Sequence, residues 1–170
     1  GAVAPAAVER GATVAGRTRA TRLLASADAR AVAALGLLFA VMTALTWRKW
    51  GVPAIDAGHE LTTADRISKG AEAYRDVRYF YGPAGLYTLA ATFKVFGVSF
   101  TTAFAFGLVQ TAAIIGAFYA LARRLLPVLT AALCAAILTT IGFSGTAFNY
   151  VLPHTNSATF GILFMLLMLL

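Results

Sequence analysis

Asp56 and Glu60 stand four residues apart in the run Ile55-Asp56-Ala57-Gly58-His59-Glu60, a spacing that puts two carboxylates on one side of a helix. Carboxylates so placed can share the activation of a hydroxyl, and together with His59 they could hold a divalent metal. Asp56 follows Pro53-Ala54-Ile55 just outside an apolar stretch, so it is wet but close to lipid, a setting that suits a general base. The structural alternative is that Asp56 caps a helix whose first turn favours acids. Downstream, Lys69, Arg75 and Arg78 could neutralise a phosphate arriving at a membrane surface. They could equally pair with Asp65, Glu72 and Asp76, contacts worth little at a surface. Tyr79-Phe80-Tyr81-Gly82-Pro83 offers ring faces on which a sugar could stack, although aromatic residues are also routine at interfaces. Later, His154 lies in the polar stretch from Phe148 to Asn156, as a general acid, a phosphate contact or a plain loop residue.

The elements that must carry these groups are apolar. The chain has 170 residues, of which 59% are hydrophobic and only 12% charged, with a mean hydropathy of +0.76. A soluble domain carries about 25% charged residues, so the composition indicates an integral membrane protein. Five of the seven acids, Asp56, Glu60, Asp65, Glu72 and Asp76, lie between Trp47 and Phe100, and the other two are Glu9 and Asp28. Charge inside a bilayer is costly, so a loop that gathers the carboxylates is the expected place for chemistry or binding. The net charge of +7 does not indicate a nucleic-acid partner. Arg10, Arg17, Arg19, Arg22 and Arg30 all precede the first apolar run, the pattern of a cytoplasmic flank that also attracts anionic membrane lipids. Cys134 is the single cysteine and sits in an apolar run, where a small buried hydrophobe is the expectation.

Read for topology, the sequence predicts an all-α, polytopic transmembrane bundle. Residues 1–30 read as a largely unstructured basic cytoplasmic tail with a short juxtamembrane helix near 21–30. A transmembrane region follows over 31–170, with spans near 31–47, 101–122 and 128–144 and an incomplete one at 158–170. The outer loop at 48–100 holds two short amphipathic helices. The first, over 58–71, aligns Leu61, Ala64, Ile67 and Ser68. The second, over 84–98, aligns Leu86, Leu89, Ala90, Phe93 and Phe96. This second stretch is shorter than the roughly 20 residues a span needs and contains Lys94. If it crossed, Arg123 and Arg124 would fall on the side of the acidic loop, against the positive-inside bias, so it is expected to lie in the outer interface. A start at Gly1 and a stop at Leu170 inside an apolar run lead us to expect the amino-terminal part of a longer protein.

The series Ile55-Asp56-Ala57-Gly58-His59-Glu60, Ile67-Ser68-Lys69-Gly70, Tyr74-Arg75-Asp76, Tyr81-Gly82-Pro83 with Tyr87, and Phe96-Gly97-Val98-Ser99 resembles the amino-terminal part of the GT-C glycosyltransferases. These enzymes use polyprenyl-phosphate-linked sugars and include the protein O-mannosyltransferase and lipid A aminoarabinose transferase group. The resemblance implies two interfacial helices in the first outer loop and a catalytic Asp, which corresponds to Asp56. Many members carry adjacent acids there, whereas here the next acid is Glu60. Members often have another acid in the second outer loop, where this chain has Pro153-His154.

The sequence reading is therefore a glycosyltransferase of the bacterial inner membrane and cell envelope, with a cytoplasmic N-terminus. It would move a sugar from a polyprenyl-phosphate donor to an acceptor on the outer face. Asp56 and Glu60 are the expected catalytic carboxylates. Arg75, Arg78, Tyr81 and His154 are the expected donor and phosphate contacts, and a divalent metal at Asp56 and Glu60 is left open. The rival is a non-catalytic polytopic protein, a transporter subunit or a lipid-binding assembly factor. The absence of ionisable residues at mid-span weighs against a transporter.

Overall fold

Proline and glycine punctuate the chain where its helices begin and end. The computed structural model describes residues 6–47, 49, 56–145, 149–153 and 155–170, with side chains from Ser26 onward and Asp56 through its backbone alone. Among the described residues there are six helices: α1 (Ala6–Thr46), α2 (Asp56–Ser68), α3 (Pro83–Phe96), α4 (Phe100–Leu125), α5 (Val128–Gly142) and α6 (Asn156–Leu169). The only extended pairing among them is an isolated bridge between Ala73 and Val77. The fold is all-α.

Pro83 opens α3 at its first turn, where a missing N–H costs nothing. Gly97 ends it at φ +82°, its N–H donating to the Phe93 carbonyl at 2.9 Å. Two residues later the Ser99 side chain caps α4 by accepting the Thr102 N–H at 3.0 Å. At the other end of α4, Leu126 is extended, as the residue before Pro127 must be.

Two segments are long and apolar enough to cross a membrane, Ser26–Thr46 within α1 and Phe100–Leu125, each with a mean hydropathy of 1.8. This supports membrane association by length and composition. The remaining apolar helices are shorter. At about 1.5 Å per residue, α5 and α6 reach roughly 21–23 Å against a hydrocarbon core of about 30 Å. The span expected over 128–144 thus stops at Gly142, where the backbone turns under the Tyr150 ring. The 14-residue α3 is also too short to cross, in keeping with the sequence reading of 84–98.

One expectation is corrected. Residues 6–30, expected to be largely unstructured, are helical, because α1 runs unbroken from Ala6. Alanine and arginine are strong helix formers, and no proline lies between Pro5 and Pro53. On α3, Leu86, Leu89, Ala90 and Phe93 are buried, and Phe96, the last helical residue, is 76% exposed.

One part of the core joins α2, α3 and α4. Ala64 and Ile67 of α2 pack with the buried face of α3, Ala103 and Phe104 of α4, and Val151. Phe39 of α1 meets Phe143 edge to face at 5.0 Å, which brings α1 to this cluster. At the opposite end, Asp28 of α1 accepts from Arg123 Nε at 2.6 Å and from the Tyr119 hydroxyl at 2.8 Å, both on α4. Between α4 and α6 the Gln110 amide donates to Thr159 Oγ1 at 2.7 Å, an interhelical bond in an otherwise apolar interface.

Two glycines allow the loop before α6 to lie flat on its neighbours. A Cβ on Gly107 of α4 would collide with the Val151 carbonyl, and one on Gly85 would come within 2.8 Å of the Asn156 backbone. Both obstacles are backbone, so neither can swing aside. Gly107→Ala is expected to destabilise the fold by about 1–3 kcal/mol, the usual cost of overpacking. A thermal melt in detergent checks this, and an unchanged midpoint would mean that the loop moves freely.

Candidate functional site

The candidate site lies where the two loops meet at the start of α2. Asp56 is the first helical residue of α2, and Glu60 follows one turn later on the same strip of helix. The strip continues through Thr63, Ala64 and Ile67, all buried, and this fixes how α2 is rotated against its neighbours. The Asp56 side chain lies outside the described residues, as does His154.

Glu60 is 2% exposed. Its Oε1 accepts from the Tyr79 hydroxyl at 2.7 Å and from Thr155 Oγ1 at 2.8 Å, while Oε2 accepts a longer bond from Asn156 Nδ2 at 3.4 Å. Tyr79 Oη also lies 2.9 Å from Ser157 Oγ, and Ser157 donates to the Gly82 carbonyl. Two hydroxyl protons, from Tyr79 and Ser157, thus serve three contacts. One carboxyl group ties together α2, the chain between α2 and α3, and the first turn of α6. Burial is the chief reason that the Tyr79 hydroxyl is pushed up to about 12; Ser157 and Thr155 pull it down and Glu60 pushes it up. Tyr79 therefore stays a hydroxyl donor throughout the physiological range.

The segment between the helices is stitched by its own charges. Arg75 meets Asp76 with two nitrogens at 3.1 and 3.0 Å and Glu72 with a third at 2.8 Å. Asp76 also accepts the Glu72 N–H at 2.9 Å, and its carbonyl accepts from Arg66 at 3.0 Å. The Arg75 guanidinium, then the Glu72 N–H, hold the Asp76 carboxyl below its usual range. The turn carries Tyr74 at φ +69°, a conformation side chains rarely adopt, and the Tyr74 hydroxyl donates to the Tyr81 carbonyl. Lys69 pairs with Asp65 at 2.7 Å.

Of the residues that the sequence singles out, Glu60 is enclosed and engaged by side chains of its own chain. Arg75 is engaged by two carboxylates. Arg78 is exposed and makes no ion pair among the described residues, which leaves its guanidinium available. Tyr81 is 41% exposed and stands edge to face with Tyr79 at 5.7 Å. His59 is exposed while its neighbour Glu60 is buried, so the two do not converge. Among the described residues no three His, Cys, Asp or Glu side chains gather around a common point. The metal left open at Asp56 and Glu60 depends on the Asp56 side chain, which lies outside the described residues.

The partners of Glu60 escaped the sequence reading. Thr155 and Asn156 are 95 and 96 positions away, and their signal was only a polar stretch at the head of an apolar run. The Asp28–Arg123 pair escaped for the same reason. No protein-family model, curated protein or solved structure matches the chain.

Glu60→Ala leaves three donors without their acceptor and is expected to cost about 3 kcal/mol. Glu60→Gln keeps an acceptor oxygen and adds a donor for the Tyr79 oxygen, so it should stay within about 1 kcal/mol of wild type. Equal losses in denaturant titrations of both variants would remove the network from the account. Tyr79 adds a pH term. Its folded value of about 12 lies above the reference value of 10.0, so its contribution is whole below pH 10 and falls as pH rises toward 12. The Tm of Tyr79→Phe should lack that alkaline component.

Proposed function

We propose that the chain forms the donor-side part of a polytopic membrane glycosyltransferase that moves a sugar from a polyprenyl phosphate to an acceptor hydroxyl on the outer face of the membrane. The observation that carries this reading is the convergence of both loops on the first turns of α2, through the contacts of Glu60 with Tyr79, Thr155 and Asn156. The resemblance of the 47–99 segment to the GT-C enzymes supplies the chemistry. Asp56 takes the proton of the acceptor hydroxyl, the acceptor oxygen attacks the anomeric carbon, and the bond from that carbon to the phosphate oxygen breaks. The electron pair leaves with the phosphate, and the configuration at the anomeric carbon inverts.

In this reading Arg78 meets the developing phosphate charge, since it alone of the two expected arginines is uncommitted. Glu60 is a positioning residue that sets the rotation of α2. Exposed Tyr74, Phe80, Tyr81 and Tyr87 supply apolar faces beside Arg78 in sequence. No step is drawn through a metal. The arginines of the first part of α1, from Arg10 to Arg30, favour a cytoplasmic N-terminus by the positive-inside bias, and the bacterial inner membrane is the proposed location.

A second reading is favoured by one observation: Glu60 and Arg75 both have partners within the chain, as in a purely structural loop of a non-catalytic membrane protein. One assay separates the two. In the protein expressed from its complete gene, Asp56→Asn should lower sugar transfer by at least about 10³-fold with the melting midpoint unchanged, and Arg78→Gln should slow transfer by about 10²-fold. Wild-type turnover by Asp56→Asn would remove Asp56 from the mechanism and leave the non-catalytic reading standing.

A further inference from the structure

The stretch of α1 from Ala27 to Leu38 runs alongside the first turns of α5, and an apolar groove of about 610 Å³ opens between them. Its wall on α1 runs from Ala27 to Leu38, and on α5 from Val128 to Ala136. Every lining residue is apolar except Arg30. The wall on α1 is ~17 Å long at about 1.5 Å per residue, close to half of a hydrocarbon core of roughly 30 Å. Arg30 therefore sits at the mouth of a channel that is one leaflet deep.

The charge at that mouth has no ion-pair partner among the described residues. Arg30 gives its Nε to the Ser26 carbonyl at 3.3 Å. The nearest acid in sequence, Asp28, is turned toward α4, where Arg123 and Tyr119 occupy its oxygens. A guanidinium with free terminal nitrogens is a phosphate ligand by geometry as well as charge.

We infer that this groove binds an anionic phospholipid of the inner leaflet, with one acyl chain between α1 and α5 and the phosphate on Arg30. Charge complementarity selects the occupant. A second apolar helix would fill the groove but leave Arg30 without a counter-ion, and a zwitterionic lipid would answer it only in part. The inference rests on α1 lying in a membrane and is independent of the transfer reaction, so Asp56→Asn leaves lipid retention unchanged.

The test is native mass spectrometry of the whole protein released from nanodiscs that hold equal parts phosphatidylglycerol and phosphatidylcholine. The expected result is preferential retention of phosphatidylglycerol, reduced about fivefold in Arg30→Gln, as about 1 kcal/mol per surface arginine implies. Ala34→Phe, at an exposed position on the groove wall, should displace the bound lipid of either kind. Equal retention of the two lipids, or an unchanged preference in Arg30→Gln, would overturn the headgroup assignment. A dimer that Ala34→Phe dissociates, with lipid retention unaltered, would assign the groove to a second copy of the chain and overturn the inference as a whole.

Discussion

A carboxyl group shut away from water must be met by donors, and Glu60 meets that demand only when three segments distant in sequence are in place. Left alone at that depth, it would cost several kcal/mol, more than one helix contact returns. Tyr79 fixes the chain that leaves α2, while Thr155 and Asn156 fix the entry to α6. The close approaches at Gly85 and Gly107 follow from the same demand. Thr155 and Asn156 can reach Glu60 only if the backbone before α6 lies against α3 and α4 with no Cβ between them. A polar contact thus sets the register of apolar helices that could otherwise slide past one another.

The acids that look like one cluster in the sequence separate in space into three kinds. Asp65 is partnered by Lys69, and Glu72 and Asp76 by Arg75, each within one turn of chain. Such exposed pairs contribute little energy but hold the turn around Tyr74 in shape. Glu60 faces inward. Asp28, outside that cluster, works near the middle of α1, about 27 Å along the helix from Thr46, where it joins α1 to α4. The Asp56 side chain lies outside the described residues, and position 56 is where the resemblance puts the base.

What could be read from the sequence was local. Pro83 and Gly97 bound α3, Ser99 caps α4, and Pro127 ends it, because each acts on its own backbone or on residues within one turn. The buried faces of α2 and α3 were legible from helical spacing at Ala64, Ile67, Leu86, Leu89, Ala90 and Phe93. Periodicity says which side a residue occupies but not how far along the helix its cover extends, and Phe96 on that same side is exposed. The role of Glu60 was hidden because its partners come from the other loop, and spacing within α2 suggested only a pair with Asp56. The choice between Arg75 and Arg78 was equally hidden, since it turns on which of them the folded chain has already neutralised.

These points bear on how a site in this loop could be tuned. The rotation of α2 is set by Glu60, Ala64 and Ile67 on one strip, and position 56 continues that strip to the first turn of the helix. A displacement of about 1 Å at a reacting group can cost a hundredfold in rate, so whatever fixes α2 also governs a reaction at its N-terminus. Glu60 need not touch a substrate to do this. Its carboxyl couples position 56 to the entry to α6, and a ligand that moved that segment would reorient α2 through the two hydrogen bonds from Thr155 and Asn156. Buried acid and proposed base are then two ends of one lever, the first anchored by the fold and the second carried at the first helical position of α2.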